Sequence, residues 1–91
     1  MAHLYGWRVA HFRTARTARG NYVTPVAGDG AGFPDLVLTR LQRLVFAELK
    51  KDGRYPGPKQ RQWHEDLKET GAEVYVWQEK HYPDGIKEVL Q

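Results

Sequence analysis

The feature that most constrains this 91-residue chain is a pair of short apolar segments, residues 32–38 and 44–50, separated by a very short connection. Both segments are rich in Leu, Val and Phe, a composition typical of β-strands. The connection is Leu41-Gln42, with an arginine on each side of it. If Arg40 pairs with Arg43, the two segments form an antiparallel hairpin with a fixed register.

That register predicts an unusual cluster of charges. Asp35 lies opposite Glu48, and Lys50 lies two residues further along the second strand. Because side chains alternate across a strand, all three groups share one face of the hairpin. The other face is apolar and carries Leu36, Leu38, Val45, Ala47 and Leu49. We therefore expect a sheet that is covered on both sides and holds two carboxylates.

Opposed carboxylates are destabilising unless a cation, a shared proton or solvent compensates them. A divalent metal held by Asp35 and Glu48 is the economical solution, since hard cations such as Mg2+ take carboxylate oxygens. Lys50 would share their cleft and orient or deprotonate a water molecule. The alternative is an ordinary Pro34-Asp35 turn and a solvated Glu48–Lys50 pair, each of which is common alone.

Composition indicates one small domain, residues 1–91, with no cysteine for disulfides or thiolate metal sites. This fits a reducing compartment, and we expect a cytoplasmic protein without a membrane span or signal peptide. The net charge is +3. Through Arg61 there are eleven Lys and Arg against four Asp and Glu, whereas from Gln62 onward there are three against seven. The basic part is where a polyanion could bind.

An arginine recurs at every third position in Arg13, Arg16 and Arg19, within a segment from Thr14 to Ala31 that is poor in apolar residues. We interpret this segment as a flexible basic loop whose arginines contact phosphates; the alternative is a solvated linker. The glycines that follow at 28, 30 and 32 do not form a phosphate-binding loop and instead allow a sharp turn or a close approach. The predicted DNA-binding residues are Arg13, Arg16, Arg19, Arg54 and Lys59.

The remaining segments alternate between helix and strand patterns. We predict a helical turn at residues 2–5, a strand at 7–12, a helix at 58–70, a strand at 73–77 parallel to that of Glu48, and a short helix at 83–90. Ile86, Val89 and Leu90 are expected to point inward from the last helix.

The long helix has a buried stripe marked by Trp63 and Leu67, and Gln60 lies on the same stripe. Gln60 is therefore predicted either to face the charged cleft or to be an ordinary boundary residue. His11 is a weaker candidate for function. The other histidines have no partner at metal-ligand spacing and are interpreted as structural or exposed, namely His3, His64 and His81.

The segments GFPDLVL at 32–38, LVFAELK at 44–50, Gly53-Arg54, Gln60 with Trp63, and GAEVYVW at 71–77 together resemble a known nuclease pattern. The chain is similar to the PD-(D/E)XK superfamily and, more closely, to the VRR-NUC (virus-type replication-repair nuclease) domain. The resemblance spans Gly6 to Leu90. It implies an α/β fold with a small mixed, restriction-endonuclease-like sheet, flanking helices and a shortened or missing N-terminal helix.

The resemblance also implies metal-dependent hydrolysis of DNA phosphodiesters. Asp35, Glu48 and the Leu49 carbonyl would bind Mg2+ or Mn2+, Lys50 would position the attacking water, and Gln60 would buttress the cleft. Stand-alone members from phages and bacteria resemble Holliday-junction resolvases and act as homodimers. In this sequence no Asp or Glu precedes Asp29, so the additional N-terminal acid of the superfamily is missing. Its role would fall to Asp29 or a partner subunit, or the activity would be weak; a nucleic-acid-binding module with a vestigial site is the alternative.

Overall fold

The computed structural model describes residues 2–12 and 28–91 in full and the backbone at 15–16 and 22–23. In chain order the elements are a 3-10 helix Ala2–Tyr5, β1 Arg8–His11, β2 Ala15–Arg16, β3 Tyr22–Val23, β4 Leu36–Arg40, β5 Arg43–Lys50, α1 Pro58–Glu69, β6 Glu73–Gln78, a 3-10 helix Glu79–His81 and α2 Asp84–Leu90. The fold is a small mixed α/β structure. None of the helices in these described ranges is long and apolar enough to cross a membrane.

The hairpin of β4 and β5 has the register that the sequence predicts. Arg40 pairs with Arg43, and Val37 pairs with Phe46. Leu41 in the two-residue turn adopts a left-handed φ of 55°, which lets the chain reverse within two residues. The predicted hairpin is therefore confirmed, and with it the separation of the two faces.

Four strands form the main sheet in the order β1-β4-β5-β6. The first three are antiparallel neighbours, and β6 runs parallel to β5. α1 connects β5 to β6, as expected of a crossover between parallel strands. The predicted helix at 58–70, the parallel strand and the closing helix are all confirmed.

The predicted flexible loop from Thr14 to Ala31 contains an additional small sheet. β2 and β3 pair antiparallel, with Ala15 opposite Val23 and Arg16 opposite Tyr22. The interpretation of these four residues as loop was wrong, because Tyr and Val have strand propensity that the surrounding polar composition concealed. The predicted phosphate contacts of Arg13 and Arg19 lie outside the described residues.

One face of the main sheet holds the apolar core. α2 packs there, with Leu90 buried and Ile86 and Val89 partly buried against it, as predicted. The buried members of this core are Trp7, Leu38, Val45, Ala47, Trp77 and Leu90. At the end of this face the cover is only partial, because Leu49 is 40% exposed.

Two of the arginines in the basic part of the chain make contacts that stabilise the fold. The guanidinium carbons of Arg40 and Arg43 lie 4.7 and 5.0 Å from the centre of the Trp7 ring. Arg43 also forms a two-pronged ion pair with Glu73, at 2.6 and 2.8 Å. The Trp7 indole N–H donates to the Leu90 carbonyl at 2.8 Å, which attaches α2 to the sheet. These contacts combine cation–π attraction with bidentate pairing.

The second face of the sheet is covered by α1 and by the loop before β4. Phe33 packs edge-on against Phe12, Phe46 and Trp63, with ring centres 5.0–5.8 Å apart. Gly32, which precedes it, has a φ of +87° and lies against the first turn of α1. A Cβ at this position would come within 2.8 Å of the Lys59 carbonyl carbon. The loop therefore approaches the helix as closely as a glycine allows.

We predict that Gly32→Ala destabilises the fold more than Gly53→Ala. Both glycines have left-handed φ angles, but a Cβ on Gly53 would meet nothing within 4 Å. Gly53→Ala should lower the free energy of unfolding by about 1 kcal/mol, from backbone strain alone. Gly32→Ala should lower it by about 2–4 kcal/mol, because a clash with the backbone of α1 is added. Urea unfolding of the two variants measures the difference. Equal losses would contradict the close approach of the loop to α1.

Candidate metal-binding and catalytic site

Asp35 reaches the site from the residue just before β4. Its Oδ2 accepts a hydrogen bond of 2.8 Å from the backbone N–H of Leu49 in β5. The last backbone pair of the hairpin is Leu36 with Ala47, so this side-chain contact lies just beyond the paired part of the two strands. The carboxylate of Asp35 is thereby fixed beside Glu48, on the face covered by α1.

Glu48 is the buried centre of the site. Glu48 is only 1% exposed, although it carries a carboxyl group. The Oε1 atom lies 3.5 Å from Nε2 of His64, which is itself buried and belongs to α1. Within the described ranges, neither atom has a hydrogen-bond partner. Leaving a buried polar atom unsatisfied costs about 1–3 kcal/mol.

The environment of Glu48 favours its protonated form. Burial, followed by hydrogen bonding to Asp35 and the charge of Asp35, raises the pKa of Glu48 to about 8. The charge of Lys50 opposes this rise. Two carboxyl groups and one ammonium group therefore converge here, and the ammonium does not fully compensate the pair. A raised pKa of this kind is typical of functional sites.

The surroundings of His64 disfavour its positively charged form. Burial lowers the pKa of His64, and the positive charges of Lys68 and Lys50 lower it further. Sequence analysis treated His64 as structural or exposed and did not connect it with the acids. A signal was present, because His64 lies four residues after Gln60 and three before Leu67, on one helical stripe.

Gln60 has a local contact at the beginning of α1. Its Oε1 accepts a hydrogen bond of 2.9 Å from the backbone N–H of Gly57, which precedes the helix. This contact satisfies one of the donors left free where a helix begins. The predicted contribution of Gln60 to the cleft stays a prediction, as does that of the Leu49 carbonyl.

Two of the predicted DNA-binding residues are fully described. Arg54 and Lys59 are both exposed. Lys59 lines a cleft of about 480 Å3 beside α1, together with Gly28, Asp29, Ala31, Gln62, Trp63 and Asp66. For Arg16 only the backbone is described, as part of β2. His11 is exposed at the end of β1.

The donors fit a site with two acidic ligands. Asp35 and Glu48 supply hard oxygen atoms, and the unpartnered Oε1 of Glu48 is a free acceptor in the described structure. No group of three or more His, Cys, Asp or Glu side chains in the described ranges is arranged to hold a metal ion. Asp29, a candidate for the missing acid, does not complete such a group; its carbonyl accepts a hydrogen bond from the Trp63 indole at 3.0 Å.

No family model, curated protein or solved structure matches the chain significantly.

We predict that Glu48→Gln raises stability at alkaline pH when divalent metal is chelated. Unfolded Glu48 titrates near 4.5 and folded Glu48 near 8, so the folded chain binds more protons between these values. Stability of the parent should therefore fall as pH rises through that window, by up to about 1.4 kcal/mol per unit. The uncharged amide of the variant would remove this loss. Chemical unfolding of both proteins at pH values from 4.5 to 8.5 measures how the free energy of unfolding depends on pH.

The matched control for this prediction is Glu88→Gln, on the exposed side of α2. It should leave the pH slope of the parent unchanged. A Glu48→Gln variant with the parent's slope would show that the carboxyl group is ionised and solvated in the folded protein.

Proposed function

We propose that this protein is a Mg2+- or Mn2+-dependent deoxyribonuclease that cuts DNA phosphodiester bonds internally. The observation that carries the proposal is the buried Glu48 carboxyl group, which has an unpartnered oxygen and lies beside Asp35 and Lys50. An acid pair in which Glu48 is buried and Asp35 is partly buried is difficult to explain as packing, because the buried charge loses its solvation. Binding of a divalent cation would compensate both carboxylates.

The order of elements supports assignment to the VRR-NUC group of PD-(D/E)XK nucleases. The Pro34-Asp35 pair precedes β4, and Glu48 and Lys50 end β5. A helix and a parallel strand follow. We infer that the mixed sheet is a restriction-endonuclease-like core in which the 3-10 helix Ala2–Tyr5 stands in place of a longer N-terminal helix.

Asp35 and Glu48 would hold the metal ion, with the Leu49 carbonyl as a further ligand. When bound, the ion supplies an activated water and offsets negative charge on the phosphate. The hydrogen bond from Leu49 N–H leaves only part of the Asp35 carboxylate's acceptor capacity in use. Both carboxyl groups would be ionised in that state, so metal binding competes with the proton that Glu48 retains near neutral pH.

Lys50 would orient the attacking water and stabilise the charged phosphate. Its positive charge lowers the pKa of both Glu48 and His64, which supports this role. Gln60 would maintain the cleft by holding the beginning of α1 in position. Stabilising charge that develops on the phosphate is the main contribution expected of such groups.

The remaining basic residues would bind the DNA backbone. Arg54 is exposed in the middle of the segment 51–57 that joins β5 to α1, and Lys59 is exposed in the first turn of α1. Arg13, Arg16 and Arg19 would add contacts from the N-terminal part of the chain. We propose a homodimer that selects branched DNA of the Holliday-junction type, because two cuts across a two-fold junction require two active sites.

The decisive variants are Lys50→Ala and Asp35→Ala, with Lys51→Ala as the matched control. Lys51 is the exposed neighbour of Lys50. We expect the first two to reduce cleavage of a four-way junction by at least about 100-fold, because each removes a group acting on the phosphate or metal. Binding of the junction, measured by mobility shift without metal, should change by less than about threefold. If Lys50→Ala cuts as fast as the parent, the nuclease assignment fails.

A nucleic-acid-binding module with a weak or vestigial site is the second candidate. The lack of a three-residue His, Cys, Asp or Glu group in the described ranges favours it. Incubation of the parent protein with supercoiled plasmid, with Mn2+ or with chelator, separates the two candidates. Nicking that requires Mn2+ supports the nuclease. Salt-sensitive binding without nicking supports the module, and binding without salt dependence contradicts both.

A further inference from the structure

The contact between β5 and α1 brings two buried polar groups together that the proposed chemistry does not yet use. Glu48 Oε1 and His64 Nε2 are 3.5 Å apart, and the two side chains are 2% and 8% exposed. In the part of the chain that the structure describes, neither atom has a hydrogen-bond partner. The two unsatisfied atoms therefore face each other at slightly more than a hydrogen-bond length.

Packing alone does not account for this arrangement. His64 is the only buried residue of α1, whereas the apolar residues Trp63 and Leu67 on the same stripe are partly exposed. A leucine at this position would cover Glu48 without bringing a polar atom into the interior. The imidazole instead offers a directional N–H donor to a carboxylate that must keep one orientation.

The geometry suits this task. With a proton on Nε2, the imidazole can donate to the Glu48 carboxylate across the contact that the two buried atoms already make. A small closure of the 3.5 Å gap would complete the bond.

We propose that His64 is a positioning residue that donates from Nε2 to Glu48 Oε1 and holds the carboxylate in the orientation that binds the metal ion. This proposal depends on the proposed nuclease function and adds a residue to it. His64 acts through Glu48 and does not contact the phosphate. Partners of this type typically change metal affinity by 10- to 100-fold when they are removed.

The test compares His64→Leu with His64→Gln. Leucine fills the space without a donor, whereas the glutamine amide can place an N–H near the position of Nε2. His3→Leu, at an exposed site on the first 3-10 helix, is the control. Calorimetric titration with Mn2+ and with Mg2+ measures affinity without reference to activity, and urea unfolding in chelator measures stability. Junction cleavage is followed as a function of metal concentration.

We expect His64→Leu to weaken both Mn2+ and Mg2+ binding by 10- to 100-fold, with the cleavage rate largely recovered at saturating metal. The metal affinity of His64→Gln should stay within about threefold of that of the parent. A purely structural role of His64 would not require this recovery. If His64→Leu fails to fold, restored parental affinity in His64→Gln still supports the proposal, and a loss of 10-fold or more in folded His64→Gln contradicts it.

Two further outcomes would overturn the inference in distinguishable ways. If the parent binds and cuts normally and His64→Leu has parental metal affinity, His64 has no positioning role, but the nuclease assignment stands. If Mn2+ binding falls much more than Mg2+ binding, His64 is a direct ligand, because imidazole prefers transition metals. A parent that neither binds metal nor cuts DNA removes the proposed function itself.

Discussion

The structure depends on the register between β4 and β5. A two-residue turn at Leu41 and Gln42 fixes the pairing, and the shared face of Asp35, Glu48 and Lys50 follows from it. A slip of one residue would exchange the two faces of the strand, moving Glu48 to the side of Trp7 and Leu90. The hydrogen bond from Leu49 N–H to Asp35 extends this pairing past the end of β4. The contacts between β4 and β5 thus determine both the position of the acids and the packing of the core.

The cover that α1 provides gives Glu48 its chemical character. At a solvated edge Glu48 would be an ordinary carboxylate, but its burial under the helix raises the pKa of Glu48 to about 8. The close packing of Gly32 and Phe33 against the beginning of α1 holds the helix over Glu48. The fold therefore maintains an electrostatically unfavourable group, which is the behaviour expected where a charged ligand supplies the compensation.

Sequence reasoning identified the features that local patterns determine. The hairpin, α1, β6 and α2 follow from alternation, helical spacing and turn chemistry, and the shared face of Asp35, Glu48 and Lys50 follows from the register. It missed contacts that depend on the rotation and approach of whole elements. His64 was assigned no site because helical spacing does not say which strand residue it will meet. The stacking of Arg40 and Arg43 on Trp7 was missed for the same reason, since they are more than 30 residues from it in sequence.

Arg40 also connects parts of the chain that are distant in sequence. Its guanidinium donates to the carbonyls of Tyr5, Leu90 and Gln91, each at 3.0 Å, while its backbone belongs to the tip of the hairpin. Displacement of Arg40 at the hairpin tip must then break all three bonds, and detachment of either the Tyr5 or the Leu90 segment must break some of them. We infer that these regions open together, so their slowest amide protons should exchange with solvent through a common opening event.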